Sequence, residues 1–168
     1  MNITVIGVGY VGLVTGVCFS NVSNKVICLD VDKDKIDLLN KRCSPIYEPG
    51  LAEIVERCRG KNLHFSTDIE VHIQTADMIF ISVNTPTKTK GVGAGQASDL
   101  KWIDASARQI SKYAKVGTTI YDLGCSTGET IYHLLRCNQD FFSKFDIVGI
   151  DMSQDMLSHA KSEMSSIK

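Results

Sequence analysis

Little is in excess in this chain, and each shortage excludes something. It has three prolines, one tryptophan and 7% aromatic residues in 168. With so little proline and no low-complexity stretch, it offers no stiff linker or repetitive stalk. A formal net charge of −1 leaves no field of one sign, which argues against a nucleic-acid or anionic-membrane partner. No apolar run is long enough to span a bilayer. The apolar N-terminal segment lacks the basic flank of a signal peptide, and its glycines follow a loop pattern, so it reads as a buried strand and helix. The six cysteines form no C-x-x-C pair and no zinc spacing. Cys18 and Cys28 sit in apolar segments, where free thiols are expected as small core residues. Such cysteine usage suits a reducing compartment, and a cytoplasmic location is expected. The four histidines are scattered, so no metal site is expected.

What is present is a chain of ordinary globular composition, 43% hydrophobic and 22% charged, long enough for one compact domain with a core. Strand-like and helix-like segments alternate along it. Short apolar runs at residues 3–6, 25–29, 63–65, 78–83, 118–123 and 145–150 read as six strands. Helices are expected at 10–22, 33–42, 67–74, 98–115, 127–137 and 153–164, with a further short helix ending at Cys58 and carrying Pro49 in its first turn. The pair Thr67 and Asp68, the pair Ser98 and Asp99, and Ser153 are the expected caps. The run at 78–83 is apolar but for Ser82, as a strand covered on both faces would be. Right-handed crossovers then predict an α/β fold: a single doubly wound Rossmann-like parallel sheet of about six strands in the order 3-2-1-4-5-6, forming one domain over 1–168.

Two glycine-rich turns punctuate this pattern. The first is Gly7-Val8-Gly9-Tyr10-Val11-Gly12, between the first strand and first helix. A lone G-x-G-x-x-G also closes ordinary strand-helix turns, but here Asp30 ends the following strand at the spacing that dinucleotide sites use. Gly7 permits the turn, Gly9 lets a pyrophosphate approach the backbone, and Gly12 lets the helix pack on the strand. The helix N-terminus favours the anion, and Asp30 would accept hydrogen bonds from the adenosine ribose while repelling a 2′-phosphate, so NAD is expected over NADP.

The stretches ITVIGVGYVGLVTG, LDVDKDKI, SPIYEPGL, CRGKNLHFSTD and FISVNTPTKTKGVGAGQASDLKWIDASARQI make residues 1 to about 115 resemble the NAD-binding N-terminal domain of UDP-glucose 6-dehydrogenase. The resemblance implies backbone contacts to the pyrophosphate at Tyr10 and Val11, Asp30 and Lys35 near the adenosine half, and Thr85 near the middle of the cofactor. The family's Lys-Ser-Thr-Val-Pro segment, substrate loop, dimerising helix and catalytic cysteine have no counterpart among these residues. No catalytic residue is therefore assigned, and oxidation of UDP-glucose is not expected.

The second turn is Asp122-Leu123-Gly124-Cys125-Ser126-Thr127-Gly128, followed by Val148-Gly149-Ile150-Asp151-Met152-Ser153. Residues 117–168 resemble the first motif of a class I S-adenosylmethionine (SAM)-dependent methyltransferase, in the variant found in carboxy-SAM synthases and related tRNA wobble-uridine enzymes. The resemblance implies that Gly124 and Gly128 admit the amino-acid end of SAM, Asp122 meets its ammonium, Asp151 binds the ribose hydroxyls, and adenine lies against Met152. Only the first part of such a site is present.

The join keeps the strand-helix-strand pattern, with 1–116 supplying four strands and 117–168 supplying two. Three readings stay open at this point: an NAD(H)-binding chimera without a complete active site, a SAM- or S-adenosylhomocysteine-binding methyltransferase-like protein, and an engineered chimera that keeps the fold and binds neither. A small-molecule nucleotide is the expected partner, with a homodimer as a further possibility because an exposed sixth strand would seek a partner.

Overall fold

The alternation of apolar runs and amphipathic stretches is realised almost element for element. The computed structural model describes residues 1–41, 46–84, 86–91, 94–96, 99–123, 125, 127–137 and 141–165. They fall into two compact units, Met1–Asn84 and Thr85–Lys168.

In the first unit, β1 (Asn2–Ile6), α1 (Tyr10–Asn21), β2 (Lys25–Leu29), α2 (Lys33–Asn40), α3 (Leu51–Cys58), β3 (Leu63–Ser66), α4 (Ile69–Gln74) and β4 (Met78–Ile81) follow one another. The strands form a parallel sheet in the order β3-β2-β1-β4. Ile3 stands opposite both Val26 and Met78, and Val26 opposite Leu63, so one register line runs across all four strands. Val5, Leu13, Val17, Val26 and Leu63 are fully buried and centre the core. A fully buried aliphatic side chain of this size contributes roughly 1.5–3 kcal/mol.

In the second unit, α5 (Lys101–Tyr113), β5 (Thr118–Leu123), α6 (Glu129–Cys137), α7 (Phe141–Lys144), β6 (Phe145–Ile150) and α8 (Gln154–Ser165) follow in turn. β5 and β6 pair in parallel from Thr118 opposite Phe145 to Leu123 opposite Ile150. Ile103, Ala107, Ile110, Ile131, Leu135 and Phe145 are buried in this unit.

The α/β Rossmann-like class and the neighbours 3-2-1-4 and 5-6 are as expected from the sequence. The strands nevertheless form a four-stranded and a two-stranded sheet, and no β4–β5 pairing occurs among the described residues. Crossover handedness governs each strand-helix-strand unit locally and leaves open which edges meet. β4 also stops two residues short of the expected 78–83, and its four residues are all half-buried, as befits a strand at the end of its sheet.

Local chemistry accounts for the smaller differences. Pro49 precedes α3, which begins after Gly50 in the left-handed region at φ +80. Asp68 occupies the N-cap of α4 without capping it, its own N–H donating to Ser66 Oγ at 3.0 Å. α5 opens at Lys101, whose N–H donates to Asp99 Oδ1 at 3.1 Å; Ser98 lies outside the described residues. Ser153 caps α8 as expected, accepting from Met156 N–H at 3.3 Å. The single turn of α7 has too few residues to show a period in the sequence. Cys18 is exposed on α1, contrary to expectation, because an apolar helix with no clear polar face gives little sign of which side is inward.

Cys28 is buried, and burial pushes its thiol up to about 12. It lies under Gly16 of α1, where an added Cβ would come within 2.5 Å of Cys28 Sγ. Gly16 thus sets how closely α1 approaches β2. Gly16→Val is expected to lower the thermal unfolding midpoint, by a cost of about 1–3 kcal/mol for overpacking a filled core. An unchanged midpoint in calorimetry would show that α1 and β2 are not in this contact.

Candidate functional site

The first glycine turn is built where β1 stops. Gly7 N–H still donates to Leu29 O at 2.8 Å, and Ser82 N–H donates to Ile6 O at 2.8 Å. The chain then reverses through Gly7 at φ +98, a conformation that disfavours any side chain. The three glycines differ in what surrounds them. A Cβ on Gly7 would lie 2.6 Å from Ser82 O, and one on Gly12 would lie 1.9 Å from Gly7 O. A Cβ on Gly9 would meet nothing within 4 Å. Gly7 and Gly12 are therefore required by the fold itself, whereas Gly9 fronts open space.

Gly9 is also the N-cap of α1. It supplies no side-chain cap, and no acidic residue occupies the first turn. The positive end of this twelve-residue helix thus faces the opening with no carboxylate of its own to neutralise it. Tyr10 and Val11, both exposed, begin the helix. The Tyr10 hydroxyl donates to Glu48 Oε1, and that contact raises the phenol above its ordinary value. No sequence pattern singles out Glu48, although it lies within the EPGL run.

Asp30 stands at the end of β2. Its Oδ2 accepts from Val8 N–H at 2.8 Å and from Lys35 Nζ at 3.0 Å. Its Oδ1 accepts from Asp32 N–H at 3.0 Å. The side chain is 11% exposed, against 31% for Lys35. Burial pushes the carboxyl up, but the two backbone N–H groups and the Lys35 ammonium outweigh it and hold Asp30 below its usual value. A carboxylate has about four acceptor positions, so one remains for a further donor. Asp30, Lys35 and the glycine turn are thus brought together on one tip of the sheet; Thr85 lies outside the described residues.

The second turn differs. Gly124 lies outside the described residues. Gly128, at φ +77, faces α8: an added Cβ would come 2.9 Å from Met164 Cε and 3.1 Å from Ala160 Cβ. Asp122 is half-buried, its Oδ2 reaches no solvent and finds no hydrogen-bond partner among the described residues, and burial pushes its carboxyl up. Asp151 accepts from Ser153 N–H at 2.9 Å, and Met152 is fully exposed. Beside the turn lies a cleft of about 180 Å³ lined by Thr127, Glu129, Tyr132 and His159, residues that no sequence pattern draws together. Among the described residues no cluster of three or more His, Cys, Asp or Glu could hold a metal ion, and no helix is long and apolar enough to cross a membrane.

A parallel strand, a tight glycine turn, an uncapped helix N-terminus and a carboxylate on the neighbouring strand are the parts of a dinucleotide-binding Rossmann domain. Residues 1–128 match the UDP-glucose/GDP-mannose dehydrogenase family, NAD binding domain, and the chain belongs to that family. Residues 114–167 also match a methyltransferase domain. The dehydrogenase match runs past the expected boundary near residue 115, and the two overlap over 114–128, which contains β5 and the second turn.

The chain is 43% identical over 143 residues to UDP-glucose 6-dehydrogenase 3 of Oryza sativa subsp. japonica, covering 82% of this chain and 30% of the relative. It is 53% identical over 111 residues to UDP-glucose 6-dehydrogenase of Pongo abelii, covering 65% and 22%. GDP-mannose dehydrogenase of Pseudomonas aeruginosa superposes with a TM-score of 0.72 at 28% identity, over 96% of this chain and 38% of that one. The chain thus spans about a third or less of the length of these curated relatives.

The two carboxylates, Asp30 and Asp122, differ in what they do to stability. The pKa of Asp30 is lowered on folding, so its stabilisation is complete above the unfolded value of about 3.9 and is lost as pH falls through the folded value. Urea midpoints should therefore fall through this acid range, and Asp30→Asn should flatten that limb. Asp122 has the opposite sign: its raised pKa opposes folding at neutral pH. Asp122→Asn should raise the midpoint at neutral pH, by an amount that shrinks as the wild-type carboxyl takes up a proton in acid. A drop at neutral pH would mean that the Asp122 charge is compensated.

Proposed function

We propose that this chain binds NAD(H) at the first glycine turn and does not by itself turn over UDP-glucose. The observation that carries the reading is the contrast among the three glycines: Gly7 and Gly12 meet neighbouring atoms, while Gly9 fronts open space at the N-terminus of α1. A pyrophosphate placed there would meet the N–H groups of Tyr10 and Val11 and the positive end of the helix. The remaining acceptor position of Asp30 suits a ribose hydroxyl, with Lys35 beside it. Thr85 is assigned to the middle of the cofactor through the resemblance to UDP-glucose 6-dehydrogenases. The open backbone at Gly9, the charge of Lys35 and the acceptor capacity of Asp30 support such a cofactor. The nicotinamide would supply hydride chemistry, and the residues assigned here bind and orient.

The role is kept to binding because the observations above bear on the glycine turn and its acid. The stretch matched to UDP-glucose 6-dehydrogenases covers 22–30% of the two relatives above, and no residue here is assigned a part in the oxidation.

A second reading has one observation in its favour. Asp122 Oδ2 is out of solvent with no partner among the described residues, beside the turn matched to a methyltransferase domain, and the ammonium of SAM would satisfy it. Asp151 would then take the ribose and Met152 the adenine. The close approach of Gly128 to Ala160 and Met164 weighs against it, because that glycine already serves helix packing.

Calorimetric titration with NADH and, separately, with S-adenosylhomocysteine distinguishes the readings. NADH should bind. Gly9→Val should weaken it severely with only a small change in the thermal midpoint, since a Cβ at Gly9 meets nothing within 4 Å and the cost is that of an N-cap change. Asp30→Ala should cost about 1–3 kcal/mol of NADH affinity, while Asp151→Ala leaves that affinity unchanged. Binding of S-adenosylhomocysteine, lost in Asp151→Ala, would establish the second reading. Binding of neither would leave a chain that keeps the fold alone.

A further inference from the structure

The side chain of Tyr10 ties the first turn to a second segment of chain. Tyr10 is the first residue of α1, and its hydroxyl donates to Glu48 Oε1, thirty-eight residues on. Helical side chains lean toward the helix N-terminus, so one at the first position projects past the helix start. Here that side chain is a phenol on a residue 57% exposed, standing over the end where α1 meets Gly9. Glu48 is held from behind. Ile46 packs against the core of the first unit, Leu51 N–H donates to Glu48 O at 3.1 Å, and Leu51 is buried. Gly50, at φ +80, turns the chain into α3. Residues 46–50 are therefore a short loop anchored on both sides, and its carboxylate meets the phenol in front of α1.

α1 has no acidic residue in its first turn and no side-chain cap. A helix N-terminus favours negative charge, and Glu48 brings one there through the Tyr10 hydroxyl. No atom of Glu48 lies within 4 Å of a Cβ built at Gly9, so the loop stands across the mouth of the turn and leaves its floor clear. A pyrophosphate seated on that floor would carry the same sign as Glu48 and compete with it for the helix end.

We infer that the Tyr10–Glu48 contact is a latch across the mouth of the first turn, closed while the turn is empty and released when a dinucleotide seats its pyrophosphate. The inference rests on the reading that NAD(H) binds at that turn. Closed, the latch fixes the phenol ring and sets a carboxylate before the helix end. Opening it breaks one charge-assisted hydrogen bond and lets Glu48 move away from the incoming anion. Both features oppose binding, so loss of the latch should favour the ligand. A contact that only steadied α1 against α3 would do the reverse.

The test is a double-mutant cycle on Tyr10→Phe and Glu48→Ala, read by calorimetric titration with NADH and by stopped-flow association. Each single variant should tighten NADH binding by about two- to tenfold, as expected for one exposed contact to a charged group, and chiefly through faster association. The double variant should gain no more than Glu48→Ala, because both changes open the same contact. Glu48→Gln, close in shape and without the charge, should also bind faster, by a margin that shrinks at high salt. Thermal melts establish that each variant is folded. Affinity unchanged or weakened in the folded single variants, a gain confined to one of them, or gains that add in the double variant would overturn the inference. If neither wild type nor any folded variant binds NADH, the underlying reading of the first turn fails instead, a result separable from these.

Discussion

The carboxylate of Asp30 is the interaction on which the proposed site depends. It ties the glycine turn, through Val8 N–H, to the start of α2, through Asp32 N–H and the Lys35 side chain. A charged acceptor held by two backbone donors in a mostly buried position has little freedom to move, and it transmits that rigidity to the turn after β1. The sheet supplies the rest of the constraint, since Gly7 N–H and Ser82 N–H still bond to the neighbouring strands as the turn begins. A binding surface built this way is organised before any ligand arrives, which limits the ordering cost of association. The same economy creates a conflict. The acceptor that steadies the protein is the one a ribose hydroxyl would use, so Asp30 serves both from its two oxygens.

Much of this is legible in the sequence because the relevant signals are local. The turn, its acid about twenty residues on and the strand that ends in Asp30 can be read from spacing alone. The neighbours 3-2-1-4 follow from the alternation of strands and helices. Spacing cannot separate the roles of the glycines. Gly7, Gly9 and Gly12 are equal letters in a motif, and only the positions of Ser82 O and Gly7 O show which two the fold requires. Glu48 escapes a sequence reading for a similar reason: its partner Tyr10 is thirty-eight residues away, and nothing in either local pattern predicts their contact.

Long-range pairing explains the other differences. A single six-stranded sheet is the natural extrapolation from six strands, but the pairing of β4 with β5 is a matter of edge fit that no periodicity encodes. The half-buried β4 shows the consequence, since an apolar run alone does not distinguish a central strand from a terminal one. Cys18 and Cys28 illustrate the limit on a smaller scale. Both lie in apolar segments, and only the approach of Gly16 to Cys28 identifies the one facing inward.

The second turn tests how far a motif can be trusted outside its own family's full fold. Over residues 114–128 the chain matches both a dehydrogenase domain and a methyltransferase domain, and the shared feature is a parallel strand running through a glycine turn into a helix. That geometry satisfies backbone hydrogen bonds and permits close packing whether or not a ligand is bound, so the motif alone cannot decide. The environment of each residue can. At the first turn, space is left open beside Gly9 and the nearby carboxylate is stabilised in its charged form. At the second, the space beside Gly128 is filled by α8, and the carboxylate of Asp122 is penalised by its surroundings. A carboxylate held charged beside an open backbone is organised for a polar ligand. A carboxylate pushed toward its neutral form beside a packed glycine is a cost the unit bears, and it becomes an asset only if a cation reaches Oδ2.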